Sequence, residues 1–143
     1  MRTFLNYWLP PLLLSGIILA AANDHLSGAQ TGGFLERVLA LVTPHVSQSF
    51  IDTANFVIRK LAHLTEYALL SWLWFRAWRG ARRGWMPRWS LAAVVLVIVI
   101  ASLDEWKQSH TATRDGTPRD VVLDSCGAVL AQIAIRRRAK LTE

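Results

Sequence analysis

His63 and Glu66 stand three residues apart, Asp104 and Glu105 are adjacent, and Asp120 and Asp124 are four apart. Each pair sits near one end of an otherwise apolar run. Histidine and carboxylate side chains form the donor set of a divalent-cation site, and they are also the groups that trade protons in acid–base chemistry. Carboxylate with water suits Mg, Ca or Mn, and an added imidazole admits Zn or Mn. His63, Glu66, Asp104 and Asp124 are therefore candidate metal ligands. The alternative is a charge network in which these groups hold only each other.

Neighbouring residues extend each group. Lys60, His63 and Tyr67 share a helical face, with Glu66 at its margin. Asp104 and Gln108 share a face at i, i+4, while Glu105 points about 100° away and, with Lys107, suits a solvated helix end. Asp120, Asp124 and Gly127 form one stripe, continued by Ala131, whose small residues permit close helix approach. Asp120 at a helix start can serve as a cap; Asp124, one turn deeper, needs a partner, a proton or a ligand. Arg114 and Arg119 lie in a polar stretch, Ser109 to Arg119, that reads as a loop. An arginine there can pair with a carboxylate or hold a phosphate.

The elements that must position these residues are apolar blocks. The chain has 143 residues, 52% hydrophobic, with a mean hydropathy of +0.27. Phe4–Ala22 and Trp89–Leu103 carry no charge, Leu61–Phe75 only His63 and Glu66, and Val121–Ile135 only Asp124. A membrane-spanning helix needs roughly 20 mostly apolar residues. The pattern predicts an all-α, polytopic membrane protein: four transmembrane helices in a bundle, over about 4–22, 59–78, 88–106 and 120–136, in a single domain of residues 1–143. A soluble bundle is the alternative, but a chain this short has no core large enough to hide four such helices. The first segment also partly fits a signal peptide, with Arg2 before it and Ala20-Ala21-Ala22 at its end. A retained span is the favoured reading, and a mature protein lacking residues 1–22 would refute it. Between the first two runs, FLERVLALV reads as an interfacial helix, Ser27–Gly33 as a flexible loop, and His25, His45 and His110 as solvated.

The net charge of +6 is unevenly spread. Arg2, the Arg76–Arg88 loop and the Arg136–Lys140 tail hold ten of the sixteen Lys and Arg residues, while nine of the ten acids fall on the other side of a four-span bundle. The positive-inside rule puts the basic side, with both termini, in the cytoplasm. The basic surface then faces anionic lipid headgroups, with no nucleic acid implied. All three acidic groups come to one depth on the extracytoplasmic side. Of the seven Trp residues, Trp72, Trp74, Trp78, Trp85, Trp89 and Trp106 fit membrane anchoring better than a cofactor site. The single cysteine, Cys126, is read as a small packing residue beside Gly127.

The ordered pattern Lys60-x-x-His63-x-x-Glu66-Tyr67, Asp104-Glu105-x-x-Gln108, Arg114, Asp120-x-x-x-Asp124-x-x-Gly127 resembles the VanZ-like family of small bacterial integral membrane proteins, over residues 56–135. The resemblance implies a helical protein of the cytoplasmic membrane with this motif at its centre. The founding member is associated with low-level resistance to the glycopeptide teicoplanin. One departure is Asp124, where relatives often have Asn, which makes this site more acidic.

Three functions stay open on the residues alone. The first is a cell-envelope protein whose extracytoplasmic pocket binds an anionic lipid or lipid-linked envelope precursor, with Arg114, Lys60 and His63 on phosphate and the acids on sugar or amine groups. The second is a membrane-embedded hydrolase or transferase acting on a phosphate-bearing headgroup, metal-dependent or using Glu66 or Asp124 with His63 as acid and base. The third is a structural charge network with function in partner contacts.

Overall fold

The computed structural model describes residues 2–21, 47–110 and 116–141. Arg114, the FLERVLALV segment, the Ser27–Gly33 loop, His25 and His45 lie outside the described residues. The described chain is all helical: α1 (Arg2–Tyr7), α2 (Leu9–Ala21), α3 (Gln48–Arg79), α4 (Pro87–Gln108) and α5 (Pro118–Lys140).

α1 and α2 form one bent run. The break falls at Trp8, two residues before Pro10-Pro11, which occupy the first turn of α2 where missing N–H groups cost no intrahelical bond. Bonds from Trp8 N to Phe4 O (2.9 Å) and from Leu12 N to Trp8 O (3.3 Å) carry the chain through the bend.

α3 is much longer than the 59–78 run predicts. Ser47 caps its first turn, accepting from Phe50 N at 3.4 Å, and Arg76 and Arg79 occupy the last turn, where cations complement the helix dipole. At about 1.5 Å per residue its 32 residues span about 48 Å, well beyond the roughly 30 Å hydrocarbon core of a bilayer. The segment FVIRKLAHL, residues 56–64, lies within this one continuous helix. α4 and α5 each start with proline at the first helical position and run one to four residues past the predicted ends. Among the described residues, α4 alone is long and apolar enough to cross a membrane by length and composition; α2 is apolar but shorter.

The helices alternate in direction. Trp74 on α3 donates from Nε1 to Ser15 Oγ on α2 (3.3 Å), and Tyr67 on α3 reaches Asp104 on α4. Contacts between α3 and α5 rise together along both helices, from Lys60 with Asp120 to Ser71 with Ala128, so these two are parallel. Gly127 is what lets them meet: a Cβ there would overlap the Leu64 carbonyl oxygen and lie 3.3 Å from Ala68 N. Ala128 is buried beside it, and Ala131 is half-buried. Cys126, rotated one position from Gly127, is exposed and does not pack between helices.

The two ends of the bundle differ. At the basic end, Arg76 lies over Tyr7 at 5.2 Å and Arg136 over Trp85 at 5.0 Å, so Arg2 of α1, the α3–α4 turn and the end of α5 gather there. Tryptophans there pack on one another. Trp8, Trp74, Trp78 and Trp89 make a continuous aromatic ladder, with centroids 6.3, 5.3 and 6.2 Å apart, and Trp74 is core. Trp72 and Trp106 remain exposed. The bundle's outer faces are apolar on every long helix, with Leu13, Ile17, Leu69, Leu91, Val95, Val99, Val129 and Leu130 all exposed, whereas Asp104, Glu105, Gln108 and Asp124 are buried.

Candidate functional site

The acidic residues converge at the other end of the bundle, between α3, α4 and α5. Asp124 of α5 has no exposed surface. Its Oδ1 stands 3.3 Å from His63 Nδ1 on α3, but the two are not aligned for a hydrogen bond, and neither Asp124 oxygen has a hydrogen-bond partner. The Tyr67 ring lies alongside the His63 ring, with centroids 6.2 Å apart and planes 26° apart.

Asp104 is held differently. Its Oδ2 accepts from Tyr67 OH at 2.9 Å and from Gln108 Nε2 at 2.9 Å, so one oxygen ties α3 to two turns of α4. Tyr67 and Gln108 are themselves buried, which keeps both bonds out of water.

Glu105 corrects the sequence reading. It is 5% exposed, not a solvated helix end, because the start of α5 passes over that flank of α4. Thr117 N donates to Glu105 Oε2 at 2.8 Å, while Oε1 has no partner. Gly116 makes this approach possible, since a Cβ there would collide with the Glu105 carbonyl and lie 2.7 Å from Ser109 N. Lys107 also reaches inward, donating from Nζ to Leu19 O on α2. His110 is exposed.

Thr117 is the N-cap of α5, and Asp120 lies within its first turn, where it pairs with Lys60 of α3. Lys60 is committed to that carboxylate. Ligand atoms of His63, Glu105 and Asp124 lie within 4.8 Å of one another, a geometry that fits one metal ion. Glu105 thus takes a place in the cluster that spacing had given to Glu66 and Asp104.

Glu66 is half-buried and faces a second feature. A cleft of about 320 Å³ opens between α2, α3 and α4. The α2 wall is apolar, from Ile17, Ile18 and Ala21; the opposite wall sets Arg59, His63, Glu66, Asp104 and Gln108 among Ile58 and Ala62. Arg59 escapes a reading that looks only for clustered acids, although it lies four residues before His63 and so on the same face of α3. About two turns further toward the basic end, Gln132 Nε2 donates to Ser71 Oγ (2.8 Å) and Ser71 O (3.1 Å), and Ser71 Oγ donates to Ala128 O (3.1 Å). These neutral residues carry no charge to betray them in an apolar sequence; they pin α3 to α5 below the acidic cluster.

The VanZ/LLP1 family profile matches residues 8–138, which takes in all the site residues named above. No curated protein and no solved structure matches the chain. With the match covering nearly the whole chain, this protein belongs to the VanZ/LLP1 family.

Proposed function

We propose that the protein is a four-span protein of the bacterial cytoplasmic membrane, with both termini inside, whose cleft binds the phosphate-bearing headgroup of an anionic lipid or lipid-linked envelope precursor on the extracytoplasmic side. The observation that carries this reading is the two-faced cleft. An amphiphile entering sideways from lipid meets Ile17 and Ile18 along its chain, and Arg59, His63, Glu66 and Gln108 at its headgroup. Arg59 supplies the fork of donors that matches a phosphate. Glu66 accepts from sugar hydroxyl or amine groups.

Membrane embedding is supported by the apolar outer faces and by family membership. Bilayer lipid does not penalise Leu91, Val95 and Leu130 on the surface, while it strongly favours hiding Asp104, Glu105 and Asp124 inside the bundle. The clustering of Arg76, Arg79, Arg82, Arg83, Arg88 and the Arg136–Lys140 tail at one end supports the orientation.

The test is native mass spectrometry of the full chain released from nanodiscs containing phosphatidylglycerol. The wild type retains a phospholipid, and Arg59→Gln loses it. Equal retention by both proteins would refute the role given to the cleft.

A further inference from the structure

The geometry points to a first-row divalent cation, Zn²⁺ or Mn²⁺ in its chemistry, held between His63, Glu105 and Asp124. The cleft reading uses Arg59, His63, Glu66 and Gln108; the cation site shares His63 and adds Glu105 and Asp124, which do not line the cleft.

Three observations converge. The first is composition: one imidazole nitrogen and two carboxylates come from three different helices, with ligand atoms within 4.8 Å of one another. The second is that none of the three donor atoms has a hydrogen bond, although His63 Nδ1 and Asp124 Oδ1 stand 3.3 Å apart. His63 Nδ1, Glu105 Oε1 and both oxygens of Asp124 are buried without a hydrogen bond. These are acceptor atoms when the imidazole carries its proton on Nε2, and acceptors crowded together repel unless something positive lies between them. A single proton can bridge one pair of them, whereas a metal ion engages all three. The third is charge. Glu66, Asp104, Glu105, Asp120 and Asp124 gather at this level; of the permanent cations near them among the described residues, Lys60 is paired with Asp120, Lys107 donates to Leu19 O, Arg119 is exposed, and Arg59 lines the cleft. A dication with Glu105 and Asp124 makes a neutral unit, which removes the main cost of burying two carboxylates side by side.

The surroundings fit a ligand set held in place. Thr117 N fixes Glu105 through Oε2 and leaves Oε1 for the ion; Gly116 permits that contact; the Tyr67 ring flanks the imidazole. Such outer contacts orient metal ligands elsewhere. Imidazole among the donors favours Zn²⁺ or Mn²⁺ over Mg²⁺ and Ca²⁺, which prefer all-oxygen sites.

Cobalt(II) titration of the full chain, purified in detergent and stripped with EDTA, tests this directly. The wild type takes up one equivalent of Co²⁺ with visible d–d absorption bands, and Zn²⁺ displaces it. Asp124→Asn and Glu105→Gln each weaken uptake by about tenfold or more, while Asp52→Asn, exposed near the far end of α3, changes it by less than about twofold. Absence of saturable uptake by the wild type, which needs no variant to fold, overturns the proposal; so does saturable uptake that both ligand variants leave intact. Phospholipid retention read on the same preparation separates the two sites. Cobalt uptake without retained lipid sinks the cleft reading alone, and retained lipid without cobalt uptake sinks the cation site alone.

Discussion

Gly127 of α5 rests against the backbone of α3 at Leu64 and Ala68, with no room for a Cβ between them. This contact holds the two parallel helices close enough for Lys60 to pair with Asp120 and for His63 to stand 3.3 Å from Asp124. Gly127→Ala forces the helices apart or bends one of them. Overpacking of this kind costs about 1–3 kcal/mol. A thermal melt of the detergent-solubilised variant, followed by fluorescence, reads the loss, and an unchanged midpoint would refute the close crossing.

Tyr67 and Asp104 offer a milder probe. Tyr67→Phe keeps the packed ring and deletes one donor to Asp104 Oδ2, leaving Gln108 as the other. The expected destabilisation is about 1 kcal/mol, the scale of interhelical hydrogen bonds in membranes. Tyr67→Ala also removes a fully buried ring and costs about 3–5 kcal/mol. A similar loss for both variants would mean that the hydroxyl, not the ring, sets the α3–α4 contact.

Gly116→Ala tests how α5 is brought over Glu105. The added methyl meets the Glu105 carbonyl, so the turn into α5 shifts and the Thr117 N–H leaves Glu105 Oε2. Loss of the slow-exchanging Thr117 amide in hydrogen–deuterium exchange, with the distant Ser71 amide unchanged, is the expected outcome. Retained protection at Thr117 would contradict the strained approach.

Cys126 is the chain's one cysteine and is exposed on α5 among Val122, Val129 and Leu130. A nitroxide attached there reports its surroundings without further mutagenesis. In the membrane reading, dissolved oxygen relaxes it strongly and a water-soluble nickel chelate hardly at all. The opposite pattern would place that face of α5 in water. A reporter fused between residues 107 and 119 adds the orientation: activity on the extracytoplasmic side is expected, and cytoplasmic activity would invert it.

Much of this arrangement is legible in the sequence, for reasons that particular residues make plain. Apolar runs of span length announce helices, and the i, i+4, i+7 stripe of Asp120, Asp124 and Gly127 announces which face of α5 turns inward. What the sequence hides is how helices sit around one another. Glu105 and Asp104 differ by about 100° around α4, so periodicity alone turns only one of them inward. Both are buried because α3 covers one flank and α5 the other. Cys126 and Gly127 are split by the same rotation, and only the position of α3 decides which of them packs. Ser71 and Gln132 look like ordinary members of their helices until their bond across α3 and α5 is seen. The upper part of α3, from Gln48 to Ile58, mixes polar and apolar residues and falls outside the 59–78 run, yet the helix runs through it from the Ser47 cap.

The central claim is that a lipid headgroup sits in the cleft between α2, α3 and α4. A phospholipid carrying a photoreactive diazirine next to its phosphate, incorporated into nanodiscs with the full chain, locates it by peptide mapping of the adducts. The account predicts adducts concentrated on Ile17–Ala21 and Ile58–Glu66, and their loss in Arg59→Gln. Adducts spread evenly over the exposed faces of α4 and α5, at Leu91, Val95, Val129 and Leu130, with no change in the variant, would contradict it.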